Sequence, residues 1–287
     1  MYPSVPWSFL GLSSSETSYE KARFIVIPIP YDTTESYRPG SRNGPHQIIY
    51  ASRYVELFDV ELKQEPYEKG IFTLDEMETV RGNVAETLDR IRFSVRKVLD
   101  DRKTPILIGG EHTVTLGGVN AFPKDILVVV LDAHADLRDS YEGDKFSHAC
   151  VIRRIIEDGR SVVEIGVRSL SQDEFKFAEE KGLAMFYRER LRKNLKGALN
   201  AIRRLVDGKT VYLSFDVDVL DPSEAPAVST PEPDGLTFWE AKEIIREVCC
   251  SSEVCGVDMV EVTPIPGSVV TEFLAAKMLY KIVGYVR

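Results

Sequence analysis

LVVVLDAHAD, residues 127–136, is the stretch on which the fold turns. Leu127 to Leu131 are five apolar residues in a row, the pattern of a strand buried on both faces of a parallel sheet. The run ends in Asp132, His134 and Asp136. In an extended chain, side chains two and four residues apart point the same way. The end of this strand is therefore expected to present two carboxylates and an imidazole together.

A second stretch repeats the arrangement. Val211–Asp218, VYLSFDVD, is an apolar strand ending in Asp216 and Asp218, and the strand Pro105–Gly110 leads through GGEH to His112. Open α/β sheets carry their sites at the carboxyl ends of strands, so the three ends are expected to meet. Buried carboxylates side by side need cations to neutralise them. Oxygen-rich ligands with two imidazoles and no thiolate suit a hard or borderline divalent ion such as Mn²⁺. Four Asp and two His exceed what one ion needs if some carboxylates bridge, so two metals are expected. Taken singly, His112 could cap a helix, and Asp132 with Asp136 could hold Mg²⁺ for phosphoryl transfer. Neither reading accounts for three strand ends converging.

Around these strands the chain alternates regularly. Strands are expected at 24–29, 105–108, 127–131, 162–167, 183–186, 211–215 and 254–260. Helices are expected at about 46–57, 83–100, from 113, 149–158, 172–181, 191–206, 238–250 and 269–285. Alternation of this kind predicts a mostly parallel sheet of about eight strands with helices on both faces, although periodicity alone also allows a closed (β/α)₈ barrel. No repeat or linker interrupts it, so residues 1–287 are expected to form one domain, with the Pro- and Ser-rich residues 1–22 as a surface arm. The segment PYDTTESYRPGSRNGP, 30–45, is a loop long enough to suggest a functional role.

Composition excludes some functions. With 36 basic against 45 acidic residues the chain carries a net charge of -9, which argues against a nucleic-acid partner. No apolar run is long enough to span a membrane, and the amino terminus lacks the pattern of a secretory signal. Cys150, Cys249, Cys250 and Cys255 show no paired metal spacing and are expected to be reduced, in keeping with a cytoplasmic location.

The motifs together resemble the ureohydrolase family of arginases, agmatinases and their relatives. The matching blocks are GGEH at Gly109–His112, DAHAD at Asp132–Asp136, SFDVDVLDPS at Ser214–Ser223 and STPEPDGLT at Ser229–Thr237. DMVEVTP at Asp258–Pro264 and SYRPGSRNGP at Ser36–Pro45 complete the set. The resemblance implies a three-layer α/β/α arginase-like fold rather than a barrel. It implies two Mn²⁺ ions, one held by His112, Asp132, Asp136 and Asp216, the other by His134, Asp132, Asp216 and Asp218. It further implies hydrolysis of a guanidinium to urea and an amine by a hydroxide bridging the ions. Asp136 would accept a hydrogen bond from that hydroxide and pass a proton to the leaving amine. Glu261 would hold the guanidinium, and His148 would lie near substrate and shuttle protons. Ala149 stands where many relatives have Gly, which puts the local backbone around His148 in question. His46 has no motif support and reads as structural. A homo-oligomer, trimer or hexamer, is also implied.

Arginase-like members read the α-amino and α-carboxylate groups with an Asn after the DxHxD block and a Ser-x-Asn loop. Here Arg138 takes the place of that Asn, and Leu137–Ser147 contains no Asn. The expectation is therefore a small cationic guanidino substrate without a carboxylate: agmatine first, giving putrescine and urea in polyamine synthesis. Aminopropylagmatine, arginine, guanidinobutyrate and formiminoglutamate are the alternatives. Arg138 is expected to face solvent, since an inward Arg would repel a cationic tail. A catalytically silent, ligand-binding regulator is the reading from a different class.

Overall fold

The structure, a computed structural model, describes residues 4–287. Eight strands form one parallel sheet: β1 (Phe24–Ile29), β2 (Ile71–Thr73), β3 (Thr104–Gly109), β4 (Leu127–Leu131), β5 (Ser161–Ile165), β6 (Ala184–Phe186), β7 (Thr210–Asp216) and β8 (Glu253–Val260). Their order across the sheet is β2-β1-β3-β8-β7-β4-β5-β6. The open sheet matches the expected three-layer fold and excludes the barrel.

The central strands are apolar on both faces because both faces are covered. Val128 and Val130 of β4 enter one hydrophobic cluster, while Val129 and Leu131 enter the other. Each such side chain fully buried contributes ~1.5–3 kcal/mol. On the first face lie α2 (Val84–Asp100), α3 (Thr113–Val119) and α4 (Val151–Glu157). Helix α2 starts where the Asn83 side chain accepts the N–H of Glu86, and it buries Leu88, Ile91, Val95 and Val98. Gly117 of α3 lets it approach closely: a Cβ there would stand 2.8 Å from Ile91. Helix α5 (Gln172–Lys181) begins with a capping box between Ser171 and Glu174. The other face is covered by α1 (Gly44–Ser52), α7 (Leu195–Val206), α8 (Phe238–Ser251) and α9 (Val270–Tyr285).

Several boundaries differ from expectation. The helix expected at 191–206 is two, α6 (Arg188–Lys193) and α7, broken at Asn194. The Asn194 side chain caps α7 by accepting the N–H of Gly197. Helix α1 stops at Ser52 rather than continuing to 57. The edge strand β2 has no counterpart among the expected strands. Of the segment expected as a surface arm, residues 1–3 lie outside the described residues. Phe9, Leu10 and Leu12 are buried and packed with α1, so this part of the arm belongs to the core.

The topology places four neighbouring strands, β3-β8-β7-β4, so that their carboxyl ends open side by side. Loop 31–43 closes over them. Gly110 permits this, since a Cβ at that position would lie 2.0 Å from the Tyr31 carbonyl oxygen.

Candidate metal centre

The expected ligands converge. His112 follows β3, and its Nδ1 lies 3.0 Å from Asp132 Oδ2, 3.0 Å from Asp136 Oδ2 and 3.5 Å from Asp216 Oδ2. His134 Nδ1 lies 2.9 Å from Asp218 Oδ2 and 3.7 Å from Asp132 Oδ1. Two groups could each hold an ion, with ligand atoms all within 4.8 Å: His112, Asp132 and Asp136, and Asp132, His134 and Asp218. Asp132 belongs to both. Asp216 falls in neither group, although it faces His112 and its Oδ1 accepts the N–H of Asp218.

The three residues of D-x-H-x-D meet without a continuous strand. Strand β4 ends at Leu131, His134 bridges to Ser169, and Asp136 turns into the left-handed region at φ 48°. Glu261 is also left-handed, at φ 68°. Two candidate site residues therefore occupy backbone that L side chains rarely adopt.

Hydrogen bonding assigns the His112 tautomer. Ser214 Oγ donates to Asp258 Oδ1 at 2.7 Å, leaving its lone pair to accept from His112 Nε2 at 3.2 Å. With the proton on Nε2, the Nδ1 lone pair faces three carboxylates, a repulsive arrangement that a cation between them resolves. Asp132 Oδ2 is buried and has no hydrogen-bond partner. The donor set fits divalent metal.

The titration shifts express the same demand for positive charge. Burial would lower the pKa of His112, but the carboxylates of Asp132 and Asp136 beside it raise it well above the imidazole range. His134 is likewise lowered by burial and raised more strongly by Asp218 and Asp132, up to about 12. Burial, then the charges of Asp218 and Asp132, pushes Asp216 well above the usual carboxylate range. Metal would take the place of these protons.

His148, almost fully buried, sits beside loop 31–43: Nδ1 is 3.4 Å from Thr34 Oγ1 and Nε2 is 3.3 Å from Ser36 Oγ. Thr34 Oγ1 donates to Glu111 Oε1 and accepts the N–H of His148. Glu261 lies below the ligands, its Oε1 accepting the N–H of His112 at 2.6 Å and its Oε2 the hydroxyl of Ser229 at 2.7 Å. Burial pushes Glu261 up to about 8, against the Ser229 bond that favours its charged form. His46 lies against Trp7, 4.2 Å between ring centroids with the planes tilted by 30°.

A cavity of about 280 Å³ opens on this cluster, lined by His134, Asp136 and His148 at its inner end. Arg138, Tyr141, Ser169, Ser171 and Glu174 line it farther out. Arg138, expected to face solvent, is part-exposed and also lines the cavity. Glu111, Ser214, Ser229 and Asp258 join the site from inside motifs that mark it, without a signal of their own. Tyr141 and Glu174 had no motif to mark them.

The arginase family pattern matches residues 22–284. The chain belongs to the arginase family. Among its relatives is the N(1)-aminopropylagmatine ureohydrolase of Synechocystis sp., 36% identical over 99% of this chain and 95% of the relative. The agmatinase of Bacillus anthracis is 35% identical over 88% of this chain and 87% of its own. The crystal structure of agmatine ureohydrolase of Thermoplasma volcanium superposes with a TM-score of 0.86 at 36% identity, covering 94% of this chain and 91% of that one. As a member of this arginase family, the chain is a hydrolase acting on guanidino compounds, with His and Asp groups able to hold metal. No helix among the described residues is long and apolar enough to cross a membrane.

Proposed function

We propose that the chain hydrolyses a guanidino compound with a carboxylate-free cationic tail, aminopropylagmatine ahead of agmatine, to urea and the corresponding polyamine. The order departs from the sequence reading, which put agmatine first. Relatives acting on the aminopropylated compound support the change. The observation that carries the hydrolytic reading is Asp132, shared by two ligand groups whose His134 and Asp136 line the inner end of a cavity.

Two Mn²⁺ ions are proposed, held by His112, Asp132, Asp136 and Asp216, and by His134, Asp132, Asp216 and Asp218. When bound, the ions supply what the side chains lack, ionisation of a water near neutral pH. Water adds to the guanidinium carbon, the bond from that carbon to the nitrogen bearing the alkyl tail breaks, and the leaving amine takes a proton, which gives urea and the alkylammonium. Asp136, which lines the cavity, would hold and pass that proton, and His148, at the cavity wall, would relay it. Glu261 has one spare lone pair on each oxygen and would turn these toward the guanidinium. The whole chain acts as one domain in this reading, in a cytoplasmic homo-oligomer.

Urea release from Mn²⁺-loaded protein, assayed with aminopropylagmatine, agmatine, guanidinobutyrate and arginine, tests the proposal. Arginine's carboxylate meets no Asn donor in Leu137–Ser147, and an unpaired buried charge costs ~1–3 kcal/mol or more. Discrimination of at least ~10-fold in kcat/KM against arginine is expected. Arginine turnover equal to that of either polyamine precursor would overturn the assignment. Absence of urea from every compound would instead favour the silent regulator.

A further inference from the structure

The outer end of the cavity holds a cation of its own. Glu174 is buried and fixed: Oε1 accepts the N–H of Leu137 at 3.1 Å and Oε2 that of Ser171 at 2.7 Å. Tyr141 is also held. It exchanges two backbone hydrogen bonds with Asp144, both 2.9 Å, across a tight turn whose central residues, Glu142 and Gly143, have φ of 50° and 85°. Against this fixed pair lies Arg138. Its guanidinium carbon is 4.9 Å from the Tyr141 ring centroid, and its Nε is 3.9 Å from Glu174 Oε2. The Arg138 side chain is 40% exposed, so it has solvent to move into.

We propose that Tyr141 and Glu174 form the subsite for the substrate's tail, and that Arg138 is a stand-in which an alkylammonium group of the substrate displaces. Arg138 thereby sets how strongly cationic tails are preferred. The inference rests on the cationic-tail reading above and deepens it. The subsite is pinned by hydrogen bonds at the Tyr141 backbone and the Glu174 carboxylate, and its present occupant is a long side chain tied by one long, part-exposed ion pair and one cation–π contact. Such ties are weak. A second cation cannot simply join the first, because both would face the same carboxylate and repel. Without any cation, the buried Glu174 would lose its only opposite charge within ion-pair range among the described residues.

The test uses Mn²⁺-loaded wild type, Arg138→Met and Tyr141→Leu, with butylguanidine (no tail charge) and agmatine as substrates. In Arg138→Met the ratio of KM for butylguanidine to KM for agmatine should rise about threefold or more, and in Tyr141→Leu it should fall by a similar factor. A ratio that stays or falls in Arg138→Met overturns the proposal. Spermidine, an alkylammonium without a guanidinium, gives a readout free of turnover. Its Kd by calorimetry should drop about threefold in Arg138→Met and rise in Tyr141→Leu. If wild type hydrolyses neither guanidine yet spermidine binding shifts in this way, the hydrolase reading fails and the tail subsite stands. If binding does not shift, the subsite is wrong whatever the turnover.

Discussion

His112 Nε2 lies 3.2 Å from Ser214 Oγ, whose own hydroxyl donates a hydrogen bond to Asp258 Oδ1 at 2.7 Å. The imidazole is thereby held in the tautomer that presents a lone pair from Nδ1 to Asp132, Asp136 and Asp216. Ser214→Ala removes the acceptor for the Nε2 proton and frees the ring to turn. Loss of such an outer partner weakens metal binding by ~10–100-fold. Mn²⁺ titration by calorimetry should show this loss confined to one ion of the pair. Undiminished affinity for both would mean that packing alone orients His112.

Asp132 stands in both ligand groups, whereas Asp218 stands in one. Asp132→Asn should therefore empty the centre, and Asp218→Asn should leave about one ion bound per chain. Metal content by mass spectrometry after Mn²⁺ loading and desalting checks the pair. Asp216→Asn separates two accounts, because Asp216 lies in neither group of the structure but bridges both ions in the proposed set. Loss of both ions supports the bridge, and retention of both removes Asp216 from it.

His148 touches Thr34 and Ser36 rather than the metal-facing carboxylates. His148→Asn should keep both ions and slow turnover by ~10²–10⁴, the loss typical of a positioned acid–base group. A variant stripped of metal would assign His148 to holding the centre together.

Glu164 of β5 is buried in the sheet with neither carboxylate oxygen hydrogen-bonded. Burial, then the charges of Asp132 and Asp136, holds its pKa well above the usual carboxylate range. The unfolded chain loses this proton near 4.5 while the folded chain keeps it, so the folded state binds more protons as pH rises. Glu164 therefore drains stability above that pH, by up to ~1.4 kcal/mol per pH unit. Glu164→Gln abolishes the titration. The Tm of the variant relative to wild type should climb between pH 5 and 8, measured on metal-free protein. A constant difference across that range would show that Glu164 titrates alike in both states.

The sequence made the centre legible because its ligands end long apolar strands, where a run such as Leu127–Leu131 has one reading. Resemblance then supplied Glu261 and His148, which no spacing rule singles out. The misses have physical causes. Strand β2 is three residues long at a sheet edge, too short for any period to show. Asn194 splits a helix by capping its second half, while the apolar spacing runs on across the break. Phe9 and Leu10 are buried by α1, whose position over the core a Pro- and Ser-rich segment does not announce. Tyr141 and Glu174 reach the cavity through a tight turn and a helix cap, geometry set by backbone rather than by pattern. The substrate order shifted for a related reason: tail-reading residues sit on loops that no motif constrains.

The hydrogen bond from His112 N–H to Glu261 joins residues 149 positions apart, across the ends of β3 and β8. These two strands neighbour each other in the sheet but are distant in the chain, and closing such a loop is slow. On that ground the complete metal centre is expected to form late, with the ions binding a chain already folded and acting on its lifetime. Mn²⁺ should lengthen the half-life of unfolding in denaturant in proportion to its occupancy and leave the refolding rate close to that of the metal-free chain. In the cell, metal supply would then govern how long each molecule survives, and not how quickly it is made.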